Sequence, residues 1–268
     1  MKPLDVQGPT GNVGKVSIQE RQAVNMTTEL KDKVAVVTGG SRGIGFSVAQ
    51  ALLAEGAKVY ICGRDQKRLE AALEKLRGTA PANVDGSAAD VRNYEDCRKL
   101  VRVAAERFGG LDILVNNAGV GVFKPIDQLS VEEWDTTIHT NLSGVFYCCR
   151  EAIPLMRKRG GGYIFNISSL AGVNPMPSGS AYNASKFGLN GFSEAMMQDV
   201  RYDGIRVSYL MPGSVDTDFA AAPGAKSREN WKLTGEDVAK AVVDLYKFPR
   251  TALASRIEMR PSQPPRKK

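Results

Sequence analysis

The chain has 268 residues, 43% of them hydrophobic, enough for one large α/β domain or two small ones; a single domain of this length buries about three quarters of its unfolded surface without a disulfide or metal staple. Its net charge is +7, but the basic residues are dispersed, three of them in the tail Arg266, Lys267 and Lys268, with no interleaved aromatics, which argues against a nucleic-acid-binding face. No apolar run approaches the roughly 18 residues of a membrane-spanning helix, and Cys62, Cys97, Cys148 and Cys149 lack metal-site spacing, so they read as reduced core thiols of a cytoplasmic protein.

Residues 1–30 are rich in Gly, Gln and Asn without periodicity and have no apolar stretch typical of a secretory signal, so they are expected to form a flexible extension. "GPTGNVGKV" superficially resembles a phosphate loop, but Pro9 and Val16 occupy positions that need Gly and Ser or Thr. From Lys31 to Ser262 the pattern alternates. Strands are predicted over 33–38, 58–62, near 83–88, and over 111–116, 162–168, 205–211 and 256–260. Helices are predicted over 43–55, 65–77, 93–108, 131–157, 180–203 and 235–247. The strands are Val- and Ile-rich, as burial on both faces demands. The expected fold is a single α/β domain over residues 31–262: a doubly wound parallel sheet of about seven strands with helices on both faces, followed by a basic tail over 263–268.

"TGGSRGIG", Thr38 to Gly45, follows the first strand and opens the first helix. Glycines at 39, 43 and 45 permit a tight turn and close approach of backbone to a pyrophosphate, and the helix N-terminus offers free N–H groups. Gly39, Ser41, Arg42, Gly43, Ile44 and Gly45 are therefore candidate dinucleotide contacts. Gly39–Gly43 also fits the hydrolase nucleophile pattern G-x-S-x-G, but the only histidine, His139, lies mid-chain in a helix and cannot serve as the late base. The second strand ends at Gly63 and Arg64, with no carboxylate at its tip for a ribose 2′-hydroxyl. Arg42 and Arg64 instead suit a 2′-phosphate, so NADP is favoured over NAD. Asp65 is the opposing feature, and it is expected to cap the next helix.

"YNASK" puts Tyr182 and Lys186 four residues apart, on one helix face. With the glycine loop, "NNAG" (Asn116–Gly119), Asn141, "NISS" (Asn166–Ser169) and "PGSVDT" (Pro212–Thr217), this order resembles the short-chain dehydrogenase/reductase family. The resemblance covers about residues 31–262 and implies a Rossmann-fold oxidoreductase acting on a small carbonyl or secondary alcohol. It implies that Tyr182 is the general acid/base, that Lys186 lowers the phenol pKa and holds the nicotinamide ribose, that Ser169 binds the substrate oxygen, and that Asn141 positions a relay water. Ser168 competes with Ser169; the family spacing of 13 residues to Tyr182 selects Ser169. It further implies contacts from Asp90 and Val91 near the adenine, from Asn117, Ala118 and Gly119 near the adenosine ribose, and from Pro212, Gly213, Val215 and Thr217 around the nicotinamide. A homotetramer is expected, with a homodimer second.

His139, Met196, Met197, Trp134 and Trp231 are read as packing residues, although Trp231 falls in the expected substrate lid. The lid segment after Thr217 is short and Ala-rich, and the C-terminal "SRIEMRPSQPPRKK" lacks the family's usual glycine-rich ending. The substrate is not legible; a 3-oxoacyl thioester is the first guess. A non-catalytic dinucleotide-binding regulator is the alternative, disfavoured because Asn141, Ser169, Tyr182 and Lys186 are all present.

Overall fold

The computed structural model describes residues 29–217, 219 and 229–265. The expected N-terminal extension through residue 28, the charged end of the tail and the middle of the lid segment lie outside the described residues. Seven parallel strands form one sheet: β1 (Val34–Val37), β2 (Lys58–Gly63), β3 (Val84–Ala88), β4 (Ile113–Asn116), β5 (Gly162–Ile167), β6 (Ile205–Pro212) and β7 (Arg256–Met259). Their order is β3-β2-β1-β4-β5-β6-β7. Between β1 and β4 the direction of winding reverses, and the C-terminal strand ends on either side of that switch point leave a crevice.

Side chains alternate across the pleat, so each strand feeds both layers. Ala35 and Val37 of β1 face α1 (Gly43–Ala54), α2 (Gln66–Arg77) and α7 (Gly235–Lys247), whose Val48, Leu69 and Val242 are wholly buried. Val34 and Val36 face α3 (Tyr94–Phe108), α5 (Gly144–Lys158) and α6 (Ser180–Val200), through Leu100, Cys148 and Leu189. Leu30 joins the first layer at 2% exposure, so the core begins one residue inside the stretch expected to be extension. All four cysteines are free and buried, as expected.

Side chains start most helices. Asp65 accepts from Arg68 N at α2, as expected from its position after the strand. Asn93 accepts from Glu95 N and Asp96 N at α3. Ser130 with Glu133 and Thr234 with Asp237 form capping boxes at α4 (Val131–Ile138) and α7.

The helix expected over 131–157 is interrupted. After α4 the chain widens into a π turn, His139–Ser143, before continuing as α5. One extra residue per turn shifts the later side chains, and such bulges concentrate at functional sites. Buried Asn141 sits in the middle of this turn, and exposed His139 faces away from it. The predicted helix 180–203 ends at Val200 and tightens into a 3₁₀ turn, Arg201–Asp203, closed by Gly204 in a left-handed conformation. Between β6 and α7, Asp216 N donates to Leu233 O and Leu233 N donates to Ser214 O, so the segment bearing the lid is pinned at both ends.

Candidate active site

The glycine loop lies against the β4 exit. Gly39 and Gly43 have φ of +64° and +53°, conformations that glycine adopts without strain. Gly45 is constrained by space instead: a Cβ there would lie 2.3 Å from Asn117 Nδ2 and 2.4 Å from Gly39 O. Asn117 Nδ2 donates to the carbonyls of Thr38 (2.9 Å) and Gly39 (3.1 Å), while Thr38 Oγ1 accepts from the amides of Asn117 and Ala118. These reciprocal bonds lock "TGG" to "NNAG". Arg42 at the start of α1 makes no side-chain capping bond, unlike the caps of α2, α3, α4 and α7, so the first amides of α1 remain available to an anion.

Beyond that loop, α6 presents Tyr182 and Lys186, both buried. Ser168 Oγ donates to Asn190 Oδ1 at 2.6 Å, committing that hydroxyl to the interior. Ser169 instead lines the cleft, its Oγ accepting from Ala171 N at 3.1 Å. Lys186 Nζ donates to Ile167 O at 2.9 Å and lies 5.8 Å from the Tyr182 ring centroid. Asn141, 0% exposed, pairs with the backbone of Val120 in both directions at 2.8 Å, and its Nδ2 also reaches Ser185 Oγ at 3.0 Å. Its amide therefore fastens the chain after "NNAG" to α6, one layer behind the cleft.

Two more asparagines hold the loop that follows β5. Asn183 Nδ2 donates to Ala171 O and Asn174 O, and its Oδ1 accepts from Met176 N. Asn190, two turns further along α6, donates to Gly172 O while holding Ser168. Their position behind Ser169 makes them positioning groups.

Burial raises the Tyr182 phenol above its ordinary value, and the Ser169 hydroxyl brings it partway down. No lowering by Lys186, which the resemblance implies, enters this balance in the ligand-free protein. Burial also acts on Lys186, lowering its pKa to about 8. A low-dielectric site disfavours the charged form of each group, so in the ligand-free protein the phenol keeps its proton. Arg92 makes a two-pronged pair with Asp90 and holds that carboxyl below its usual range.

One cleft is lined by Gly39, Ser41, Arg42, Gly43, Ile44, Arg64, Asp90, Val91, Asn117, Ala118, Gly119, Ser169, Tyr182, Lys186, Pro212, Gly213, Val215 and Thr217. Of the sequence-derived candidates, Gly45 and Asn141 alone stand behind this lining, Gly45 under Asn117 and Asn141 under Val120. The sequence reading missed Arg68 and Arg92 beside Arg64, Phe123 and Phe219 beside Tyr182, and Thr140, whose buried Oγ1 has no partner within the described residues. Arg68 could have been found: it stands in the first turn of the helix that Asp65 caps, just after Arg64 in sequence. The aromatics carry no such local signal.

The pattern of the short chain dehydrogenase family matches residues 33–228. An uncharacterized oxidoreductase of Staphylococcus saprophyticus is 34% identical over 87% of this chain and 99% of its own length. Among solved structures, a metagenomic short-chain oxidoreductase in complex with NADP is 33% identical with a TM-score of 0.77, over 88% of this chain and 100% of its own. An alcohol dehydrogenase from the archaeon Thermococcus sibiricus, complexed with 5-hydroxy-NADP, is 31% identical with a TM-score of 0.80, over 88% and 99% of the two chains. With the parallel sheet, the glycine loop and the Tyr182–Lys186 pair in place, the chain belongs to the short-chain dehydrogenase family.

Proposed function

We propose that the protein catalyses reversible NADP(H)-dependent reduction of a carbonyl to a secondary alcohol. The observation that carries this reading is that Ser169, Tyr182 and Lys186 line the same cleft as the glycine loop. The residues fit the cofactor. Close-packed Gly39 and Gly45 and the uncapped start of α1 suit a pyrophosphate. At the β2 tip Gly63 offers no carboxylate and Asp65 is spent capping α2, while Arg42, Arg64 and Arg68 line the same cleft and would suit a 2′-phosphate. The NADP complexes of the two neighbouring structures support the same choice. Asp90 and Val91 would border the adenine, Asn117 to Gly119 the ribose, and Pro212, Gly213, Val215 and Thr217 the nicotinamide.

When bound, NADPH supplies the hydride. Ser169 and Tyr182 orient the substrate carbonyl, and the phenol, protonated in its buried setting, donates to the carbonyl oxygen as charge develops there. Lys186 holds the cofactor ribose and supplies positive charge beside the phenolate left behind. Asn141 acts through Val120 and Ser185, holding the proton path in register. The family resemblance by itself points first to a 3-oxoacyl thioester, one of the carbonyls against which any substrate assignment is to be tested. A homotetramer belongs to the same reading, supported by Phe146 on α5 and Phe187 on α6, which stand exposed on the outer faces of those helices. Among the described residues no helix is long and apolar enough to cross a membrane, and a cytoplasmic location is part of the proposal.

Tyr182→Phe is expected to lower kcat by about 10²–10⁴-fold while NADPH still binds, measured by nucleotide fluorescence. Retained turnover would remove the phenol from the mechanism. Loss of NADPH binding along with turnover would point to a structural role for the phenol.

A further inference from the structure

The substrate end of the cleft has a composition that the family reading does not explain. Phe123, after β4, meets the Tyr182 ring edge-on, with centroids 5.5 Å apart and planes at 61°. Phe219, beyond β6, meets it from another segment at 5.8 Å and 52°. Gly121 lies between the two phenylalanines: a Cβ there would come within 2.9 Å of Phe123 and 3.0 Å of Phe219. Although both rings pack on Tyr182, each remains 39% exposed, and Met176 from the loop after β5 is 45% exposed in the same cleft. Two carbon surfaces from separate segments thus converge on the proposed proton donor, and a third, Met176, lines the same cleft.

Several polar groups of the same cleft are already engaged. Asn174 Nδ2 donates to Leu170 O, and Asn183 is consumed by the loop backbone. Lys232 pairs with Glu229 and Arg260 with Glu258, each at 2.8 Å. A sugar needs several hydrogen-bond partners here, and a keto acid needs an unpaired cation; Phe123, Phe219 and Met176 offer neither. The phenylalanines offer ring edges and faces, which reward an aromatic guest beyond simple burial.

We propose that this enzyme reduces aryl ketones, with the substrate ring seated against Phe123, Phe219 and Met176 and the carbonyl at Ser169 and Tyr182. The inference rests on the carbonyl-reductase reading and names its substrate class. The reaction balances as aryl ketone + NADPH + H⁺ → 1-aryl alcohol + NADP⁺: the carbonyl carbon gains hydride, its oxygen gains the Tyr182 proton, and solvent restores the phenol.

The test uses the full chain with NADPH and four carbonyls: acetophenone, dihydroxyacetone, pyruvate and acetoacetyl-coenzyme A. In parallel, acetophenone is titrated calorimetrically into the enzyme–NADP⁺ complex, which reads binding without turnover. Acetophenone is expected to have the highest kcat/KM, by about tenfold or more. Phe123→Ala should lower kcat/KM for acetophenone and weaken its binding by about tenfold each. Phe123→Leu, which keeps apolar volume, should lie between. Faster turnover of the polar ketone, the keto acid or the thioester, with no heat of acetophenone binding, overturns the aryl-ketone assignment and leaves the reductase reading standing. Acetophenone binding with no turnover of any carbonyl overturns the reductase reading instead, and the assignment with it.

Discussion

The loop after β1 and the loop after β5 keep their shapes by opposite means. The first is shaped by side chains it lacks: Gly39 and Gly43 take left-handed turns, and Gly45 leaves room for the Asn117 amide. The second is shaped by side chains reaching out from α6, with Asn183 and Asn190 gripping the backbone from Ala171 to Met176 and the Ser168 hydroxyl. The difference follows from what each loop meets. A pyrophosphate is bound by backbone amides, which need only close approach. A carbonyl is activated by hydroxyls, which must be held at fixed points. Errors in the first loop should therefore be steric and tell on cofactor, and errors in the second should be polar and tell on substrate.

The largest expected effect comes from filling the first loop. Gly45→Val places a branched side chain where even one carbon meets Asn117 and Gly39 O, and is expected to cost about 3 kcal/mol or more in denaturant unfolding, together with NADPH affinity. Placing Asn117→Ser in the same chain should recover part of that loss; simple additivity of the two changes would break the steric account. Next is Asn183→Ala, which leaves two carbonyls and one amide without their partner, at about 1–3 kcal/mol. Here KM for the carbonyl substrate should rise while the NADPH dissociation constant stays near wild type. Equal losses in both would mean that the two loops are not held independently.

A smaller effect concerns pH. Lys186 has a folded pKa of about 8, below that of an unfolded lysine. Below about pH 8 both states carry the proton and the full penalty of burying the ammonium is present. As pH rises further, the unfolded chain holds more protons than the folded one, so the ligand-free protein gains stability. Relative to Lys186→Met, wild type should therefore gain on the order of 1 kcal/mol between about pH 8 and 9.5, before tyrosines ionise. A flat difference across that window would mean that Lys186 is solvated in solution. The smallest effect is at Asp65. Asp65→Ala should remove a helix cap worth about 1 kcal/mol and leave the NADPH-to-NADH preference in place, whereas Arg64→Ala should reduce that preference. A swing toward NADPH in Asp65→Ala would show that its carboxylate contacts a ribose.

Much of this was legible because it is local. Strands such as "VAVV" are apolar on both faces, and Asp65, Ser130 and Thr234 stand where helices must begin. The glycine spacing and the four-residue step from Tyr182 to Lys186 are written directly in the chain. What was not legible depends on distant partners. The π turn at His139–Ser143 has no residue code, since five ordinary residues adopt it around Asn141. Choosing Ser169 over Ser168 from geometry needs Asn190, 22 residues from Ser168 in sequence. The direction of the Tyr182 shift depends on burial, which spacing to Lys186 does not report. Phe123 looked like any loop aromatic until the fold brought it to the phenol.

The pinned segment between Asp216 and Leu233 has a consequence for how such a protein can diversify. Its two ends are joined by backbone bonds to one another, so the sheet and α7 are indifferent to what runs between them. The entropy of closing a loop grows only with the logarithm of its length, about 0.6 kcal/mol per doubling. Insertions or deletions after Thr217 are therefore thermodynamically inexpensive, yet Thr217 and Phe219 stand in the wall of the cleft. Length variation at this one position can remodel what the pocket admits while the sheet, the glycine loop and the proton donor are left alone, which makes the segment a natural graft point for redirecting selectivity.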